Sequence, residues 1–170
     1  MYVKKTEIDK FINKRIHLPE NCTALRIDVG LAGEAPNAAK WLLETKDRFV
    51  VGIEPIDHHW DMLTQFETAD TDRPYPEFPF IQLGTDSIEH DRKLIGKIKG
   101  RFLGIQCAID DVENLTSQSF YQMDRSMGAS GSSSLLKPTS KHPHFVEKKI
   151  STPTLPLSRI IELLDYSEPI

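Results

Sequence analysis

Residues 49–53, Phe-Val-Val-Gly-Ile, form an almost unbroken apolar run, with Asp47 and Arg48 before it and Glu54 after it. A strand with one solvated face alternates apolar and polar side chains, whereas a strand covered on both faces has no polar face to show. The run therefore predicts a strand inside a parallel sheet packed between helical layers, which confines the chain to α/β architectures. Its neighbours agree. Residues 24–29 read as an earlier strand, and Ala35, Ala38, Ala39, Leu42 and Leu43 make one helical face between the two. Asp57 reads as the cap of a helix carrying Trp60, Leu63 and Phe66. A further helix is expected over 86–99, with Ile88, Leu94, Ile95 and Ile98 inward, and a third strand over 102–109. Strand, helix, strand, helix, strand in this order predicts a three-layer sandwich with a mainly parallel sheet and right-handed crossovers.

The flanks read differently. Residues 1–22 are expected to form an N-terminal helical extension, because Ile8, Phe11, Ile12 and Ile16 recur at helical spacing and Thr6 with Asp9 resembles a capping box. Pro19 and Asn21 punctuate the chain before the main domain, 23–170. Pro74, Pro76 and Pro79 mark 70–80 as loop. After Asp111, strands over 119–123 and 145–151 flank the Gly/Ser-rich stretch 128–134, predicting a short antiparallel excursion. Leu157, Ile160, Ile161 and Leu164 predict a closing amphipathic helix with no strand after it.

Charge narrows the function classes. With 21 Lys+Arg against 25 Asp+Glu, the net charge is −4, which speaks against a nucleic-acid or anionic-membrane surface. Two cysteines, Cys22 and Cys107, make no disulfide framework. The opening residues lack an apolar signal region, and no apolar run approaches the roughly 18 residues of a membrane span. The expectation is a soluble, cytoplasmic protein, in which the Asn21 and Asn114 triplets are chance matches to a glycosylation pattern.

In an open parallel sheet, ligands bind beyond the carboxyl ends of the strands. Three segments meet there: 28–33 with Asp28, Gly30, Ala32 and Gly33; Glu54 with Pro55; and 107–110 with Cys107, Ala108 and Asp110. Glycines let the backbone turn tightly beside a ligand. A carboxylate closing the second strand is an acceptor suited to the two hydroxyls of an adenosine ribose. A dinucleotide site wants Gly-x-Gly-x-x-Gly facing a pyrophosphate, but from Gly30 that register meets Ala32 and Ala35, and Glu34 adds a like charge. S-adenosylmethionine carries a sulfonium and no phosphate, so charge favours the methyl donor over NAD.

These residues also resemble a known family. Ile27-Asp-Val-Gly30 with Gly33, and then Val51-Gly-Ile-Glu54-Pro55, is similar to the opening of FkbM-type S-adenosylmethionine-dependent methyltransferases. The likeness continues through Gln106-Cys-Ala-Ile-Asp110, Phe120-Tyr121, Gly131 to Leu135, and Ile150 to Leu155, spanning roughly residues 23 to 166 in order. The resemblance implies a Rossmann-like fold in which Asp28, Gly30, Ala32 and Gly33 cradle the methionine part of the cofactor. It implies that Glu54 binds the ribose, and that Ala108 and Asp110 lie at the adenine. The implied activity is O-methylation of a hydroxyl on a small molecule or glycan. The chain departs from the family in having Leu31-Ala32 where Ala-Asn is usual. It also stops before the family's fourth core strand, so an incomplete sheet that self-associates through an open edge is expected.

Two other functions fit parts of the pattern: a truncated, non-catalytic binding module of the same fold, and an NAD-dependent oxidoreductase, which the glycine pattern and the lack of a Tyr-x-x-x-Lys pair disfavour. No metal is expected. His58 and His59 are adjacent and should point to different sides of their helix, and His142 with His144 lack Cys or carboxylate partners. Either pair supplies a candidate general base, and the serines at 130–134 a candidate cover over the acceptor. Cys107 reads as a buried hydrophobe.

Overall fold

The computed structural model describes residues 1–31, 35–64, 100–123, 133–137 and 146–165, and nine strands and four helices follow one another among these described residues. In chain order they are β1 (Tyr2–Val3), α1 (Ile8–Phe11), β2 (Ile16–His17), β3 (Ala24–Val29), α2 (Pro36–Glu44), β4 (Arg48–Ile53), α3 (Asp57–Thr64), β5 (Phe102–Ile105), β6 (Ala108–Ile109), β7 (Thr116–Met123), β8 (Val146–Leu155), α4 (Leu157–Leu163) and β9 (Leu164–Asp165). The loop expected over 70–80, the helix over 86–99, and the expectations for Ala32, Gly33, Phe66, His142 and His144 lie outside the described residues.

The principal sheet has the order β1-β5-β4-β3, and every pairing in it is parallel. Its central strand β4 is the apolar run. Val50 packs with Leu31, Ala35, Ala38, Leu42, Trp60 and Phe102, the side of α2 and α3. Phe49, Val51 and Ile53 pack instead with Leu103, Ile105, Ile8, Phe11, Ile160 and Leu163, the side of α1 and α4. Alternate residues of one strand thus feed two cores, which is why no polar residue interrupts the run. The chain is an α/β sandwich with a mainly parallel sheet. Strand β3 pairs with β4 alone among the described residues, leaving its other edge open.

Glycine is required on this sheet for space. A Cβ on Gly52 would sit 2.5 Å from Leu31 Cδ1, so only glycine lets Leu31 close over β4. Arg101, itself buried, secures the opposite end of α2. Its guanidinium donates to the carbonyls of Leu42 (2.9 Å) and Thr45 (2.9 Å), acceptors left over at the helix C-terminus, and to that of Arg48 (3.2 Å) at the start of β4.

The antiparallel excursion is β7 against β8, with β6 alongside β8 in parallel. Several expectations change. The segment expected as one N-terminal helix is a strand, a four-residue helix and a second strand. So short a helix has little stability of its own, and pairing decides instead: β1 adds to β5, and β2 pairs with β9. Ile8, Phe11 and Ile16 still reach one core, which is what their spacing reported. Glu7, not Thr6, caps α1, without a side-chain cap bond. A two-residue strand, β9, does follow the last helix, and Ile161 of that helix is exposed. The strand expected over 102–109 is broken at Gln106 and Cys107, and β6 leaves for the second sheet. Asp57 opens α3, but its carboxylate bonds to Lys5 and Gln106 across the sheet end instead of capping the helix. No helix among the described residues is long and apolar enough to cross a membrane.

Candidate functional site

The bend after β3 is tied to the end of β4. Gly30 and Leu31 both donate their N–H groups to the Ile53 carbonyl, at 2.8 and 3.1 Å, and Gly30 holds a φ of +85°. A side chain at Gly30 would meet open space, so the glycine answers the backbone conformation and not crowding. The next peptide of β4 is held on its other side, where the Glu54 N–H donates to Ile105 (3.2 Å). The carboxyl ends of three parallel strands are thereby clamped side by side.

Beyond them lies a cavity of about 580 Å³. Its walls include Val29 and Gly30 from the first bend, Glu54, Pro55 and Ile56 after β4, His59 of α3, residues 107–110, Phe120 of β7, and Ser133 to Leu136. The break at Gln106 and Cys107 matters here, because it turns Ala108 and Asp110 toward this space and lets β7 and residues 133–136 close its far side. Ser134 exchanges backbone bonds with Tyr121 (2.7 and 3.1 Å), and Ser133 Oγ accepts the Met123 N–H (3.0 Å). That part of the serine stretch is a fixed wall.

Glu54 is 2% exposed. Its Oε1 accepts the N–H of Ile56 (2.8 Å), and its Oε2 lies 3.4 Å from His59 Nδ1, which makes no hydrogen bond among the described residues. The His59 ring also meets the His58 ring edge to face, with centroids 4.2 Å apart. Adjacent helical residues were expected to diverge; here both rings pack against each other, and His58 lies 3.4 Å from Gln122 on β7. Among the described residues, no three His, Cys, Asp or Glu side chains gather as a metal site.

Asp28 does not line the cavity. It is buried, and its Oδ2 accepts the N–H of Ala38 (3.1 Å) in the first turn of α2, one of the donors a helix start leaves unpaired. Burial is the largest influence on its carboxyl and raises its pKa, against the lowering effect of the bonds from Ala38 and Asn37. Asp110 stands exposed at the rim, its Oδ1 accepting from Asp111 N–H (2.9 Å) and its Oδ2 from Gln118 (3.1 Å). Cys107 is fully buried, and burial pushes its thiol up to about 12, so it is a neutral wall residue at physiological pH.

The structure therefore brings Gly30, Glu54, Ala108 and Asp110 to one cavity and sends Asp28 to the helix start. His59, one of the candidate general bases, and Phe120 of the resemblance join the wall, together with Ile56, which the sequence did not single out. The signal for His59 was its place one turn after Glu54, where the helix start folds it back over the carboxylate. Comparison with known proteins finds no match: no family model, no curated protein and no solved structure is similar to this chain.

Proposed function

We propose that this cavity binds S-adenosylmethionine and that the protein methylates a hydroxyl of a small molecule or glycan. The observation that carries the reading is the charge of the wall: the described lining residues include Glu54 and Asp110 and no Lys or Arg. Such a wall suits a cationic sulfonium and a ribose diol, and it repels the pyrophosphate of a dinucleotide. Its size is that of an ordinary small-molecule site. The residue pattern of FkbM-type methyltransferases supports the same reading, through Gly30, Glu54, Ala108 and Asp110.

The bound cofactor supplies a methyl group on a positively charged sulfur. The chain's own part is placement. The Gly30 bend leaves room at the strand ends, Glu54 would present its carboxylate to the ribose hydroxyls, and Ala108 would offer a small apolar surface to the adenine. Aligning donor and acceptor supplies much of the acceleration in such a displacement. His59 and Asp110 stand on the cavity wall, where either would take the proton of an acceptor hydroxyl held there. Calorimetry tests the reading. S-adenosylmethionine is expected to bind the chain, to bind Glu54→Ala at least about tenfold more weakly, and to outcompete NAD. Tight NAD binding with no response to the methyl donor would replace this reading with the oxidoreductase.

A further inference from the structure

A second cavity, of about 550 Å³, opens between β1, α1 and β2, away from the strand ends that form the first. Its floor is apolar: Val3, Phe11 and Ile16 are buried there, with Tyr2 beside them. Its rim is cationic. Lys10, Lys14 and Arg15 are all exposed, and none makes an ion pair or a side-chain hydrogen bond among the described residues. Glu7 is the one acidic residue among the described lining, its carboxylate accepting the Lys4 N–H (3.3 Å), and Asp165 faces His17 (3.2 Å). In a chain of net charge −4, three cations against the single carboxylate of Glu7 on the lining of this hollow leave a local field opposite in sign to that of the whole protein.

We propose that this hollow is a second binding site, for a small amphiphile with an anionic head and an apolar body. The head is held at the rim by Lys10, Lys14 and Arg15, where Arg15 offers paired donors to a carboxylate or phosphate. The body lies on Phe11, Val3 and Ile16. The occupant is a molecule that enters and not a surface that is touched: Met1 on the lip is exposed, but Val3, Phe11 and Ile16, which carry the apolar contact, are recessed at the floor. A bilayer would require them to protrude. Nucleic acid would require exposed stacking aromatics along a basic track.

Calorimetry with octanoate tests the site, with acetate, octyltrimethylammonium and anionic phosphatidylserine vesicles as comparisons. Octanoate is expected to bind at one site, acetate and the cationic amphiphile much more weakly, and S-adenosylmethionine not to displace it. The double variant Lys10→Glu/Lys14→Glu, both at exposed positions, should keep its circular dichroism and lose octanoate affinity by about tenfold or more. Octanoate binding unchanged by the charge reversal, or equal binding of the cationic amphiphile, would overturn the proposal. So would absence of octanoate binding, and so would vesicle binding that octanoate fails to compete, which would assign the patch to a membrane surface.

Discussion

The Glu54 carboxylate and the His59 imidazole face each other at 3.4 Å on the wall of the first cavity, each at least nine-tenths buried, while Glu54 also holds the Ile56 N–H at 2.8 Å. One carboxylate thus does two jobs, fixing the turn from β4 into α3 and presenting charge to the cavity. The variant Glu54→Gln keeps an oxygen for Ile56 but not the charge, so its stability should stay close to that of the parent while affinity for the methyl donor falls about tenfold. Glu54→Ala should in addition lose about 1–3 kcal/mol of stability, since the Ile56 N–H is left unpaired. Urea unfolding and calorimetry on the two variants separate the roles.

Gly30 holds a left-handed φ with nothing near its missing Cβ. Gly30→Ala should therefore cost about 1–2 kcal/mol from backbone strain alone, without a steric clash. If the bend relaxes instead, its bonds to Ile53 break and amide exchange at Leu31 should accelerate.

Asp28 sets a pH dependence. Its carboxyl pKa is raised mainly by burial, so the folded state holds this proton more tightly than the unfolded chain does. Stability from this group is full below the ordinary carboxyl range and is lost as pH rises through the raised value. Asp28→Asn still accepts from Ala38 but cannot ionise. Its stability relative to the parent should increase from about pH 4 to pH 7, by urea denaturation at each pH.

The two thiols should differ sharply in reactivity. Cys107 is fully buried with its thiol pushed up to about 12, whereas Cys22 is half-buried and its pKa is raised, by burial first. Iodoacetamide at pH 8 should label Cys22 first and leave Cys107 untouched until urea unfolds the chain, as read by mass spectrometry.

Strand β3 offers an open edge among the described residues, and Val29 near its end is 55% exposed. Unpaired edges recruit other strands. Sedimentation should show association that rises with concentration, and Val29→Lys should reduce it. A monomer at every concentration would remove the edge as a contact.

Much of this molecule was legible from local pattern. The run 49–53 announced a strand covered on both faces, and alternate residues of β4 indeed enter two cores. Gly30 and Glu54 could be placed at strand ends because a parallel sheet aligns the ends of β3 and β4. Other features depended on partners distant in sequence, and local periodicity carries no word of those. Ile8, Phe11 and Ile16 share helical spacing, yet Ile16 is in a strand because Leu164 lies opposite it. The strand over 102–109 breaks because β8 captures Ala108 and Ile109. Asp28 reads as a ligand residue from its motif, but the start of α2 claims it. Local sequence determined which residues are apolar and how they repeat; tertiary structure decided which backbone groups and carboxylates met each other, because most buried polar groups must find a partner and that partner comes from elsewhere in the chain.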